Sequence, residues 1–175
     1  MPIEEINQPE IINIDSNLRL RKFDNKFSFA FDWYQDEDTV KLVDGVNAKK
    51  YDFTTLRRMY EYLNNIGELY FIEVLDKNEF TPIGDVTFWK EDMPIVIGDK
   101  NYRGKGIGKK VVETLIKRAM ELGYEEIKVR EIYIYNIVSQ RLFESAGFKK
   151  SGNTANGFSY TLSINNIVNN KIQPK

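Results

Sequence analysis

The stretch from Ile95 to Lys110 reads IVIGDKNYRGKGIGKK, and the rest of the chain is organised around it. Ile95, Val96 and Ile97 form a β-branched run that reads as a short strand. A glycine-rich turn follows and opens a helix from Gly106 to Leu122. Ile107, Val111, Val112, Leu115, Ile116, Ala119 and Met120 share one face of that helix. Lys109, Lys110, Glu113, Lys117, Arg118 and Glu121 line the other, and Gly123 is a natural C-cap. A helix that begins in such a turn presents backbone N–H groups without intrahelical partners, at the positive end of its dipole. Gly104, Gly106 and Gly108 let the backbone approach a bulky anion, while Arg103, Lys105 and Lys109 add positive charge. The combination predicts a phosphate or pyrophosphate site.

Two common phosphate motifs do not fit. A Walker loop has four residues between its first glycine and its Gly-Lys pair. Here five residues separate Gly98 from Gly104, and Ile107 interrupts the Gly-Lys-Ser/Thr continuity. A dinucleotide fingerprint requires glycine where Lys109 stands, and no acidic ribose ligand is well placed.

The pattern that is met is Arg-x-x-Gly-x-Gly, through Arg103, Gly106 and Gly108. One helix and one strand later, Asn136-x-x-Ser139-x-x-Leu142-Phe143 leads to Gly147-Phe148. With both signatures in this order, the chain resembles the GNAT superfamily of acyl-CoA N-acyltransferases. Its N-terminal half is loosely similar to the branch holding ribosomal-protein N-terminal and aminoglycoside acetyltransferases. The resemblance implies acetyl-CoA as acyl donor. It implies that Val96, Ile97 and Gly98 lie along the pantetheine arm and that Arg103, Gly104, Lys105, Gly106, Ile107, Gly108 and Lys109 surround the pyrophosphate. It places Asn136 near the thioester. Plainer readings stand beside these: Asn136 is a good helix N-cap without any ligand, and Lys109 and Lys110 fit an ordinary solvated face.

The implied reaction is attack of an amine on the thioester. A model amine has a pKa near ~10, so a bound ammonium must first lose a proton. The chain has no His, which leaves that proton to a carboxylate. Glu131, five residues before Asn136, is the first candidate base, where several relatives place a catalytic Glu. Its alternative is a solvated place in the mixed cluster Glu125, Glu126, Lys128, Arg130 and Glu131. Glu91 and Asp92 are secondary candidates. Many relatives carry a Tyr seven residues after the Asn to protonate the leaving thiolate, and this chain has Phe143 there. Tyr135, with Tyr133 beside it, is the candidate acid, and solvent is the alternative. For the acceptor, Trp33, Tyr34 and Asp36, with Glu37 and Asp38, combine aromatic faces and carboxylates that suit a cationic amine. An exposed acidic turn after a core helix is the competing reading.

Outward from this segment, the expected elements run β-α-α-β-β-β-α-β-α-β-β. That order predicts an α/β fold: a single-domain, mixed, largely antiparallel sheet with helices on both faces. Phe27–Tyr34 reads as a helix capped near Asp24 or Asn25, followed by an acidic turn at 36–38. A second helix carries Leu56, Met59, Tyr60 and Leu63 after a Thr54 or Thr55 cap and ends at Gly67. Strands are expected at 18–23, 69–75, 83–89, 95–97, 127–135, 148–150 and 158–164. The strand–helix–strand unit around 95–135 predicts a parallel pair. The domain is expected to span 17–164, with an N-terminal extension over 1–16 and a frayed polar tail over 165–175.

The 175 residues hold 25 Lys plus Arg against 26 Asp plus Glu, a net charge of −1. Such balance predicts no nucleic-acid partner and no membrane partner. Absence of Cys removes thiolate nucleophiles and zinc sites of the Cys type, absence of His removes His-containing triads, and no metal is expected. No segment resembles a secretory signal, so a cytoplasmic location is expected. The acceptor, a small-molecule amine (a cationic antibiotic included) or a protein N-terminus, is open, as is whether the chain forms a homodimer. Two other classes compete: a non-catalytic CoA-binding module, which Phe143 permits, and a plain interaction domain.

Overall fold

Two antiparallel sheets are built from the chain in the computed structural model, which describes residues 6–167. The first runs β1 (Ile11–Asn13), β2 (Leu18–Lys22), β3 (Glu68–Asp76), β4 (Glu79–Phe88) and β5 (Ile95–Ile97), each hydrogen-bonded to the next. Between β2 and β3 the chain forms a 3-10 helix over Ser28–Gln35, α1 (Glu37–Asp44) and α2 (Phe53–Ile66). The second sheet has the order β6-β8-β7, from β6 (Glu126–Tyr133), β7 (Lys149–Asn153) and β8 (Gly157–Ser163). Its helices are α3 (Ile107–Glu121) and α4 (Ile137–Ser145). By contacts the chain divides into two compact units, one of residues up to 89 with 94–107, the other of 90–93 with residues from 108 onward.

In the first unit an aromatic core joins the helices to the sheet. Phe23, Phe27, Trp33, Tyr34, Tyr51, Leu56, Tyr60, Leu69 and Phe71 form one buried cluster. Tyr34 stacks on Tyr51 with centroids 4.9 Å apart, and Tyr60 meets Phe71 edge-on at 5.7 Å. Such rings contribute large buried areas and oriented contacts together. The β3–β4 hairpin turns at Lys77 and Asn78, both at positive φ, as a two-residue turn matched to strand twist requires. Register slips between Ile72 and Glu73, so Ile83 bulges beside Pro82, which cannot donate to the ladder. The bulged carbonyl of Ile83 accepts from Asp99 N at 2.9 Å, carrying β4's grip past the end of β5.

Several expectations change. No ladder joins β5 to β6, and all pairings among the described residues are antiparallel, so the predicted parallel pair is absent. The α3 crossover delivers the chain to a different sheet, where the crossover rule for one sheet has no hold. The helix expected over Phe27–Tyr34 is a 3-10 helix over Ser28–Gln35, whose N-cap, Phe27, makes no side-chain cap bond. The acidic turn at 36–38 is the start of α1, with Asp36 as N-cap accepting from Thr39 N. Asp52, rather than Thr54 or Thr55, caps α2 by accepting from Thr55 N. Arg118, expected on a solvent face, is buried on α3. Residues 11–13, inside the expected extension, are the edge strand β1, and residues 164–167 are helical. The remainder of the expected tail, 168–175, lies outside the described residues, as do 1–5.

Candidate functional site

The turn between β5 and α3 begins at Asp99, whose carboxylate accepts from Asn101 N at 2.9 Å and starts a one-turn 3-10 helix over Lys100–Tyr102. The chain then passes Gly104 and Gly106 at φ of 71° and 77°. A Cβ at either would meet no heavy atom within 4 Å. Only glycine adopts this backbone cheaply, and its bare face leaves room for a ligand. The first N–H groups of α3 have no intrahelical acceptors, and no acidic residue occupies its first turn. Lys105 Nζ lies 5.2 Å over the Tyr102 ring, and Lys109 meets Glu113 at 4.0 Å with both about half exposed. Such loose contacts are worth only tenths of a kcal/mol and yield easily to a phosphate. The donor set therefore fits a polyphosphate. Ile107 and Gly108 open the helix, and a Cβ on Gly108 would press on the Leu142 side chain at 3.2 Å.

Arg103, expected among the phosphate contacts, points back into its own unit. Its Nε donates to the Ile97 carbonyl at 2.8 Å, and Nη2 donates to Thr39 Oγ1 at 2.8 Å and to the Gly98 carbonyl at 3.4 Å. Asp36 Oδ2 lies 3.9 Å from Nη1. Asp36 also pairs with Lys100 at 2.7 Å and accepts from the N and Oγ1 of Thr39 at 3.0 and 2.7 Å. The Lys100 ammonium, helped by Thr39, holds its carboxyl down to about 2. Gly98 is fixed by packing, since a Cβ there would stand 2.2 Å from Trp33 Cγ. Val96 pairs with Asp85 across the β4–β5 ladder.

Asp85 is the residue that sequence reasoning passed over. It is fully buried, and the hydroxyls of Tyr34 and Tyr60 both donate to its Oδ2, at 3.0 and 2.9 Å. Burial pushes its carboxyl up to about 6 despite those two bonds. The signal was present as one acid inside the apolar run Ile83–Phe88. Of the three acceptor-frame residues, Tyr34 is thus spent on Asp85, Trp33 packs on Gly98, and Asp36 is neutralised by Lys100 and Arg103.

In the second unit, a register slip between Val129 and Ile132 lifts Arg130 and Glu131 out of the β6–β8 ladder. Glu131 is half-buried, and its Oε2 accepts from Asn156 N at 3.3 Å. Tyr135 stacks on Tyr133 with centroids 5.4 Å apart. Burial, then the charge of Glu131, raises the Tyr135 phenol, so it stays protonated at neutral pH. Asn136 caps α4, its Oδ1 accepting from Ser139 N at 3.1 Å. Gln140, one turn on and also unremarked in the sequence, is buried and donates to the carbonyls of Tyr133 and Ile134. It pins the strand end that carries Tyr135 and Asn136. Asp92 accepts from Met93 N and Arg130 N, and burial raises its carboxyl against both bonds. Glu91 pairs with Lys128 at 3.0 Å. Phe143 is a core side chain, edge-on to Phe148 at 5.2 Å.

The sequence profile of the acetyltransferase (GNAT) family matches residues 27–148. Among solved structures, a domain from Methanocaldococcus jannaschii DSM 2661 is 23% identical, with a TM-score of 0.74 over 85% of this chain and 99% of its own. RimL, the ribosomal L7/L12 alpha-N-protein acetyltransferase solved with coenzyme A, is 16% identical with a TM-score of 0.71, covering 88% of this chain and 98% of its own. Spermidine N-acetyltransferase from Vibrio cholerae, solved with CoA and spermine, is 16% identical with a TM-score of 0.67, covering 88% and 99%. No curated protein matches the sequence significantly. Among the described residues no helix is long and apolar enough to cross a membrane.

Proposed function

The chain belongs to the acetyltransferase (GNAT) family and takes its acyl group from acetyl-CoA, and on that premise we propose that it is an N-acetyltransferase acting on a primary amine of a small molecule or of a protein N-terminus. The observation that carries this reading is the Gly104–Gly106 turn at the start of α3, with its bare glycine faces and acid-free first helical turn. Gly104 to Lys109 would hold the pyrophosphate. Val96 and Ile97, on the terminal strand of the first sheet, and Gly98 just after it would offer edge backbone groups to the pantetheine arm. An amine acceptor agrees with the protein α-amine and polyamine named for RimL and the spermidine enzyme.

Acetyl-CoA supplies an activated thioester carbonyl. Glu131 takes the proton of the bound ammonium, directly or through water, and Asn136, at the N-cap of α4, would stand near the thioester. Tyr135, protonated at neutral pH, supplies a proton to the departing sulfur. Asp92 is a second candidate base, favoured by its burial and raised carboxyl. Glu131→Gln should lower kcat/KM by about 10²-fold, the span of a lost general base, and remove the acidic limb of the pH–rate profile. If Glu131→Gln keeps its limb and Asp92→Asn loses it, the base is Asp92.

An amine panel with detection of released thiol tests the function itself. It should hold peptides with free N-termini, polyamines and aminoglycosides. Thiol release that depends on one amine class is expected. Acetyl-CoA binding without release for any amine would make the chain a non-catalytic CoA-binding module. No binding at all would leave an interaction domain.

A further inference from the structure

The family signature brings an arginine next to a phosphate-binding turn, yet three of its five guanidinium N–H donors are engaged elsewhere. We infer that Arg103 is a positioning residue: it clamps the carbonyls that end β5 and ties them to the cap of α1. Three donors are spent inside the protein, on Ile97 O, Gly98 O and Thr39 Oγ1. The remaining charge faces Asp36, which Lys100 also holds. Asp36 caps α1, so one carboxylate anchors the helix start, the arginine and the 3-10 turn together. The inference rests on the reading of β5 as the pantetheine strand. On that reading, the carbonyls Arg103 bonds belong to two of the three residues along the arm. Gly98, carrying one of them, packs so closely on Trp33 that an added Cβ would lie 2.2 Å from its Cγ.

Such a clamp acts on strand geometry, not on phosphate charge. A displacement of about 1 Å in a reacting group can lower a rate by about 10²-fold. Lysine cannot replace this arginine, because a single ammonium does not reproduce a planar fork that reaches two carbonyls and a hydroxyl.

The two roles separate on donors that differ only in their phosphates. Acetyl-pantetheine keeps the thioester and the arm but has no pyrophosphate. Arg103→Gln, Arg103→Lys and Thr39→Ala should each lower kcat/KM by the same factor with acetyl-CoA and with acetyl-pantetheine. That factor should be about 10- to 100-fold for the arginine variants and smaller for Thr39→Ala. Gly106→Asp, in contrast, should lower kcat/KM for acetyl-CoA alone. In the ligand-free protein, the Arg103 Nε–H NMR signal should exchange slowly with water and stay in place when CoA is added. Loss confined to acetyl-CoA, or an Nε–H signal that moves on CoA binding, would make Arg103 a phosphate ligand. Unchanged kinetics with both donors, or a fast-exchanging signal, would also overturn the clamp. Should the arginine variants fail to fold, Thr39→Ala and the wild-type NMR signal still decide. If wild-type protein binds no CoA, the cofactor reading fails on its own, and the ligand-free exchange rate still tests the clamp.

Discussion

Asp85 lies in β4 with two tyrosine hydroxyls on one of its oxygens and, among the described residues, no cation paired with it. Its carboxyl, raised to about 6 by burial, holds a proton more tightly in the folded chain than in the unfolded one, where 3.8 is ordinary. The stability it contributes is therefore complete below about 4 and is lost as pH rises through about 6, on the order of 2–3 kcal/mol in all. Asp85→Asn keeps an oxygen for both tyrosines and removes the titration. Urea midpoints measured from pH 4 to 7 should fall with pH more steeply in the wild-type protein than in the variant. Parallel slopes would show that Asp85 does not titrate there. Asp36 works with the opposite sign: held down to about 2 by Lys100 and Thr39, it stabilises above about 4 and loses that contribution as pH falls through 2.

At the scale of elements, the turn before α3 joins two requirements at one residue. Gly106 needs positive φ for the chain to enter the helix, and it faces open space where a phosphate would stand. Gly106→Ala adds only the backbone strain, about 1 kcal/mol. Gly106→Asp adds a negative charge as well, which the helix dipole tolerates but a pyrophosphate does not. The two variants should unfold at similar temperatures, with acetyl-CoA affinity weakened far more in Gly106→Asp than in Gly106→Ala. Calorimetric titration checks this, and equal affinities in the two variants would move the anion elsewhere. The β6–α4 junction follows a similar logic: Asn136 caps the helix and buried Gln140 holds the carbonyls of Tyr133 and Ile134, so the backbone around both tyrosines depends on one polar brace.

For the whole molecule, ligand binding acts through mass action. Acetyl-CoA at a hundred times its dissociation constant should stabilise the folded chain by about 2.7 kcal/mol. For a chain of this size that corresponds to a rise in Tm of about 5–10 °C. The rise should shrink with added salt, because exposed charge contacts to phosphates are screened over about 8–10 Å at ordinary ionic strength. A salt-independent shift would point to the pantetheine arm, rather than the phosphates, as the source of affinity.

The sequence by itself determined the elements that are local in origin. The strand at 95–97, the amphipathic helix after it and the Asn136 cap depend on periodicity, glycine placement and side-chain-to-backbone bonds a few residues away. Family membership was legible for the same reason, since both signatures lie in those local elements. Other features depended on residues distant in the chain. Asp36 capped a helix that an acidic run disguised as a turn, and its partners Lys100 and Arg103 lie more than sixty positions away. The Ser28–Gln35 segment is a 3-10 helix whose aromatic rings pack into a core shared with residues of α2 and β3, distant in the chain. Tyr34 and Tyr60 found Asp85 across 51 and 25 residues. Burial raises the Asp85 carboxyl, and burial is a property of the assembled chain, so only the tertiary structure decided how that carboxylate and the Arg103 guanidinium are used.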